Sequence, residues 1–128
     1  MTMVALPVRQ KGLCCQLQLP VDHAWAEENA RLLKALADPT RLAMVWALHR
    51  ADEPVCICDF TATFDLEQPT ISHHMGKLKA AGLVESEKQG VWVYYRLRED
   101  LAPATAQLIG TLVSSGSQEA ARGPESPS

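Results

Sequence analysis

Residues 68 to 97 read QPTISHHMGKLKAAGLVESEKQGVWVYYRL, and two different periodicities meet inside this stretch. Its first half has helical spacing. Pro69 suits a first helical turn, and a helix from Gln68 to Gly82 turns Ile71, Met75 and Leu78 inward while Thr70, Ser72, His73 and Lys77 share an exposed face. The second half alternates. Two β-rich runs flank Lys88-Gln89-Gly90, which predicts a hairpin. Residues 68 to 82 contain Lys77 and Lys79 and neither Asp nor Glu, so the helix is locally basic in a chain of formal net charge -3.

Upstream, Asp22 can N-cap a helix carrying Trp25, Leu32, Leu33 and Leu36, and Asp38-Pro39 ends it and starts a second with Leu42, Val45, Trp46 and Leu48 on its apolar face. A third short helix is expected over Cys56 to Phe64, with a turn at Asp65 to Glu67 leading into Gln68. Downstream, Leu101, Leu108, Ile109, Leu112 and Val113 form the stripe of a last amphipathic helix. Two short helices joined by a tight turn and followed by a hairpin give the order of a winged helix-turn-helix: α+β, mainly α. The polar face of the second helix, with Gln68, Thr70, Ser72, His73 and Lys77, is expected to meet double-stranded DNA, and Lys88 and Gln89 at the hairpin tip an adjacent minor groove or phosphates. His74 fits either a core position or a DNA contact, while His23 and His49 read as surface residues.

At 128 residues with 47% hydrophobic content the chain suits one domain, assigned to residues 22 to 113. Residues 1 to 21 form an arm bracketed by Pro7 and Pro20, and residues 114 to 128, rich in Ser, Gly and Pro, a disordered tail. No apolar run reaches a membrane span of about 20 residues, so a soluble, cytoplasmic protein without a membrane partner is expected. The four cysteines then read as reactive thiols or metal ligands, not as disulfides. They stand as Cys14-Cys15 in the arm and Cys56-x-Cys58 before the basic helix.

The strings LLKALADPTRLAMVWAL, VCICDF and QPTISHHMGKLKAAGLVESEKQGVWVYYRL, between Leu33 and Leu97, resemble the ArsR/SmtB family of metal-responsive winged-helix repressors. That resemblance implies a homodimer, joined by its first and last helices, that represses a metal or metalloid resistance operon and leaves its operator when the ion binds. Cys56-Ile57-Cys58-Asp59 is similar to the Cys-x-Cys-Asp element of the family's thiolate sensors. The arsenic sensors' third cysteine, three residues after the second, is replaced by Thr61. The zinc ligands of the last helix have no counterpart, because residues 99 to 128 contain neither His nor Cys.

In a regular α-helix, side chains two residues apart diverge by about 200°, so a helical Cys56 and Cys58 would share one ion only if that turn unwound. Such unwinding would supply a switch. Soft ions ask for three or four ligands, and the arm thiols Cys14 and Cys15 are the remaining sulfur source. Three thiolates neutralise As(III) or Sb(III), whereas four around Cd(II) or Pb(II) would leave net negative charge beside Asp59. The expected set is therefore Cys56, Cys58 and at least one of Cys14 and Cys15 on As(III) or Sb(III). Cadmium or lead sensing is the nearest alternative, followed by oxidation of the same thiols to a disulfide. An enzyme is not expected: a phosphatase-like Cys-x5-Arg loop needs arginine six residues after a cysteine, and those positions hold Pro20, Val21, Ala62 and Phe64.

Overall fold

The computed structural model describes residues 11–12 and 18–122, with side chains described up to residue 115. Cys14 and Cys15 lie outside the described residues. Five helices and a small antiparallel sheet follow in the order α1 (His23–Leu36), α2 (Pro39–Arg50), β1 (Val55–Cys56), α3 (Ile57–Phe64), α4 (Gln68–Ala80), β2 (Val84–Gln89), β3 (Trp92–Leu97) and α5 (Pro103–Arg122). This is a winged helix-turn-helix: α3 and α4 are the paired helices, and β2 and β3 form the wing. Among the described residues no helix is long and apolar enough to cross a membrane.

Local chemistry sets the boundaries. Asp22 accepts a hydrogen bond from Trp25 N at 2.9 Å and Asp38 from Arg41 N at 3.0 Å, so both expected caps are formed and each satisfies a backbone donor the helix leaves open. Asp38 does this as an ionised group, its carboxyl held below the ordinary range first by that backbone hydrogen bond. Asp65 ends α3 in the left-handed region, with φ of 55°. α4 closes two residues before the expected Gly82. There Leu83 N donates to Leu78 O at 3.0 Å and Gly82 N to Lys79 O at 2.9 Å, a pairing that needs the positive φ of 79° at Gly82. The wing turns through Gly90, whose φ is 64°, and Val91, one residue beyond the expected tip.

The core lies where α2, α3, α4, the sheet and α5 converge. Ile71, Met75 and Leu78 are each 0% exposed, so α4 buries the face its sequence spacing assigned to the interior. Against them pack Met44, Val45 and Leu48 of α2, Phe60 of α3, Leu83 and Val84 at the start of the wing, and Ile109 of α5. Each such side chain contributes about 1.5–3 kcal/mol by leaving water.

Three expectations are revised here. Cys56 is not helical but ends a short edge strand, since Val55 and Cys56 pair with Tyr95 and Tyr94 of β3. The stripes of α1 and α5 are split between core and surface: Leu36, Ile109 and Val113 are buried, whereas Trp25, Leu33 and Leu112 are 63%, 52% and 47% exposed. Leu101 precedes α5. Finally, helical backbone continues through residues 114 to 122, where a disordered tail was expected from Ser114. Gln118, Glu119, Ala120, Ala121 and Arg122 are good helix formers, and the Gly123-Pro124 that follows is a stop signal. Residues 123 to 128 lie outside the described residues.

Candidate nucleic-acid interface and thiol site

α4 is anchored from below by its apolar face, and its other side is open. Gln68, Thr70, Ser72, His73 and Lys77 are all exposed, as are Lys88 and Gln89 on the wing. Glu67 precedes α4 without a side-chain capping bond; Thr70 N and Ile71 N donate to its carbonyl at 3.0 and 3.1 Å and Pro69 has no N–H, which leaves the Gln68 N–H at the positive end of the helix dipole. Lys88 and Gln89 do not act as one group. The ladder pairs Lys88 with Val93 and Gln89 with Trp92, which puts them on opposite faces of the wing. The Gln89 face also carries Glu85 and Glu87, and there Arg96 Nε donates to Glu85 Oε2 at 2.9 Å.

Two contacts hold α4 laterally, and the sequence alone gave no sign of either. Tyr95, buried in β3, neighbours Ser72 of α4; burial raises the phenol's pKa and the interaction with the Ser72 side chain opposes the rise. The expected base reader Ser72 therefore stands beside the sheet while remaining exposed. His74 is a half-buried strut: its Nδ1 lies 3.3 Å from Arg41 Nη1 and 3.9 Å from Asp38 Oδ2. Arg41 also donates from Nε to Ala35 O at 2.6 Å, so one guanidinium links the C-terminus of α1 to α4. His23 and His49 are exposed.

The thiols sit where β1 becomes α3. Cys56 is buried with extended backbone, at φ of -70° and ψ of 144°, and serves as the N-cap: its sulfur accepts from Cys58 N at 3.5 Å. The divergence expected of two helical cysteines is thus absent. Cys58 Sγ lies 2.9 Å from Cys56 Sγ and 3.9 Å from Asp59 Oδ1. The hydrogen bond to Cys56 is the first cause of a raised Cys58 pKa, with desolvation and the Cys56 and Asp59 charges acting in the same direction. Two sulfurs bound to one ion at about 2.3 Å each can be no more than about 4.6 Å apart, so this pair fits bidentate binding without unwinding. Among the described residues, which do not include Cys14 and Cys15, no group of three His, Cys, Asp or Glu suited to a metal occurs.

A third surface is apolar. Leu42, Trp46 and Leu112 border a cleft of about 280 Å³ floored by Leu36, Val45, Ile109 and Val113. Within the described residues the buried indole N–H of Trp46 has no hydrogen-bond partner.

Comparison with known proteins gives a consistent result. Residues 38–86 match the family model described as bacterial regulatory protein, arsR family. The arsenical resistance operon repressor of Escherichia coli is 42% identical over 79 residues, covering 62% of this chain and 67% of that protein. A cadmium resistance transcriptional regulatory protein of Listeria innocua is 43% identical over 65 residues, 51% of this chain and 54% of its own length. Among solved structures, the homodimeric winged helix-turn-helix DNA-binding domain of a possible ArsR-family regulator from Mycobacterium bovis has a TM-score of 0.61 at 26% identity. That match covers 83% of this chain and 94% of the domain.

Proposed function

Because the chain belongs to the arsR family of bacterial regulatory proteins, we propose that it is a homodimeric repressor of a metalloid resistance operon, released from its operator by As(III) or Sb(III). The protein is a regulator, not an enzyme. The observation that carries the inducer assignment is the thiol pair, with Cys56 and Cys58 sulfurs 2.9 Å apart beside the helix-turn-helix. Cys56, Cys58 and at least one of Cys14 and Cys15 hold the ion, and a bound ion supplies a cross-link between those sulfurs. α4 enters the major groove with Thr70, Ser72 and His73 near base edges, and Gln68, Lys77, Lys88 and Gln89 contact the backbone or the adjacent groove.

The transmission runs through this chain's own residues. Cys56 is paired with Tyr94, and the next residue, Tyr95, interacts with Ser72 of α4. A displacement of Cys56 pulls on β3 and so on the seat of α4. This replaces the unwinding of α3 as the source of the switch, because two sulfurs already side by side need no unwinding to share an ion. The exposed Trp25, Leu33, Leu42 and Leu112 supply apolar surface for a second copy, and the M. bovis domain is homodimeric.

DNA release titrated with arsenite, antimonite, cadmium, lead and zinc under anaerobic, reducing conditions tests the reading. Arsenite and antimonite are expected to act at the lowest concentrations, and Cys56→Ser and Cys58→Ser to bind DNA but ignore them. The Listeria relative supports cadmium as a second reading, with lead the ion of like chemistry. Under it the divalent ions release DNA first, and all four single cysteine variants lose the response.

A further inference from the structure

The cations fall into two populations. Arg96 on the wing pairs with Glu85 and Arg98 just beyond it with Asp100, each at 2.9 Å, and Lys79 of α4 donates from Nζ to Ser86 Oγ of the wing at 2.9 Å. The side chains of Arg31, Lys34 and Lys77, by contrast, make no hydrogen bond or ion pair among the described residues. These three, together with Arg41, line one cleft of about 300 Å³ between α1, α2 and α4. No acidic side chain lines it, and Ala80 and Ala81 form part of its floor.

No carboxylate lines the cleft, and of its four cations only Arg41 has a carboxylate charge acting on it from behind, that of Asp38, so Arg31, Lys34 and Lys77 repel one another until an anion comes between them. Arg41 is fixed at the back by the carbonyl of Ala35, while Arg31, Lys34 and Lys77 remain exposed at the mouth. Arg31 and Lys34 are three residues apart and so share a face of α1. Arg31 lies about 200° around that helix from the exposed Leu33, which separates the cationic wall from the apolar face assigned to a second copy. Small alanines allow a bulky ribbon to come close. Lys77 is one helical turn beyond His73 on the exposed side of α4, so whatever occupies the cleft flanks the groove that α4 enters.

We infer that this cleft seats the sugar-phosphate backbone of the operator, making Arg31 and Lys34 of α1 DNA-positioning residues beside Lys77. The inference rests on the DNA-binding reading above and extends it to a helix that neither the helix-turn-helix nor the wing contains. Phosphate contacts position the protein without reading sequence, so their loss affects specific and random DNA alike.

The test compares the wild-type chain with R31Q/K34Q on a duplex enriched by the wild type from a random pool and on an unselected duplex, by fluorescence anisotropy across a salt series. The double variant is expected to weaken on both duplexes by the same factor. The slope of log affinity against log salt should shrink by about 0.9 for each phosphate contact removed. The charge-conserving swap R31K/K34R should recover most of that slope, and circular dichroism should show unchanged helix content. An R31Q/K34Q chain with wild-type slope and affinity overturns the inference while leaving the DNA-binding reading intact. A wild type that enriches no duplex overturns both. Release of DNA by inorganic phosphate beyond the effect of chloride at equal ionic strength would identify a free-anion site and also overturn it.

Discussion

α4 and the start of α3 are neighbours in sequence and in space, yet they are built on opposite principles. α4 has three inward side chains at 0% exposure, a glycine-dependent closing turn, and lateral contacts with Tyr95 and Arg41. The β1–α3 junction has a two-residue strand and a sulfur for an N-cap, in place of the hydroxyl or carboxylate that caps helices well. A DNA reader has to present fixed geometry, whereas a sensing element has to be cheap to rearrange. The difference in construction follows that division of labour.

The largest expected effect separates the two regions by stability. Met75→Ala removes a fully buried side chain from under α4 and is expected to cost about 2–5 kcal/mol, read from denaturant unfolding. Cys58→Ser, at an exposed position of the junction, should change stability by less than about 0.5 kcal/mol and still abolish release by arsenite. If Cys58→Ser unfolded the chain as readily as Met75→Ala, the contrast between a rigid reader and a lightly held sensor would fail.

How well each region could be read from the residues follows the same contrast. The pattern of Ile71, Met75 and Leu78 fixes the buried face of α4 because helical period and burial agree there, and the caps Asp22 and Asp38 announce themselves by residue type. The junction is opaque for a physical reason. Val55 and Cys56 take strand geometry from pairing with Tyr94 and Tyr95, some forty residues away, and no local signal carries a long-range pairing. For the same reason the apolar spacing of α5 gives a stripe but not its partner: Ile109 belongs to this chain's core, while Leu112, three residues later, stays at the surface.

That split makes the next effect a sharper probe than a substitution across the whole stripe. Leu112→Asp places a charge on an exposed site and is expected to leave the monomer folded. It should shift sedimentation from dimer to monomer and weaken operator binding, because two linked half-site contacts become one. Ile109→Asp buries an unpaired charge instead and should unfold the chain. Sedimentation of Leu112→Asp as an undisturbed dimer would move the interface away from the face bordered by Leu42, Trp46 and Leu112.

The smallest effect tests the link between the two regions. Tyr95→Phe deletes the hydroxyl that interacts with Ser72 and keeps the ring that fills the core, so stability should fall by only about 0.5–1.5 kcal/mol. If the junction acts on α4 through β3, the variant should still bind arsenite at its thiols, followed by thiolate absorbance, but release DNA less completely. Coupling between two sites is the ratio of DNA affinities without and with the ion, and that ratio should shrink toward 1. Ser72→Ala removes the same interaction from the other end, and the double variant should lose no more coupling than either single one. Additive losses in the double variant would mean that Ser72 and Tyr95 act separately. Full coupling in Tyr95→Phe would send the signal by the other route the fold offers, the direct packing of α3 on α4.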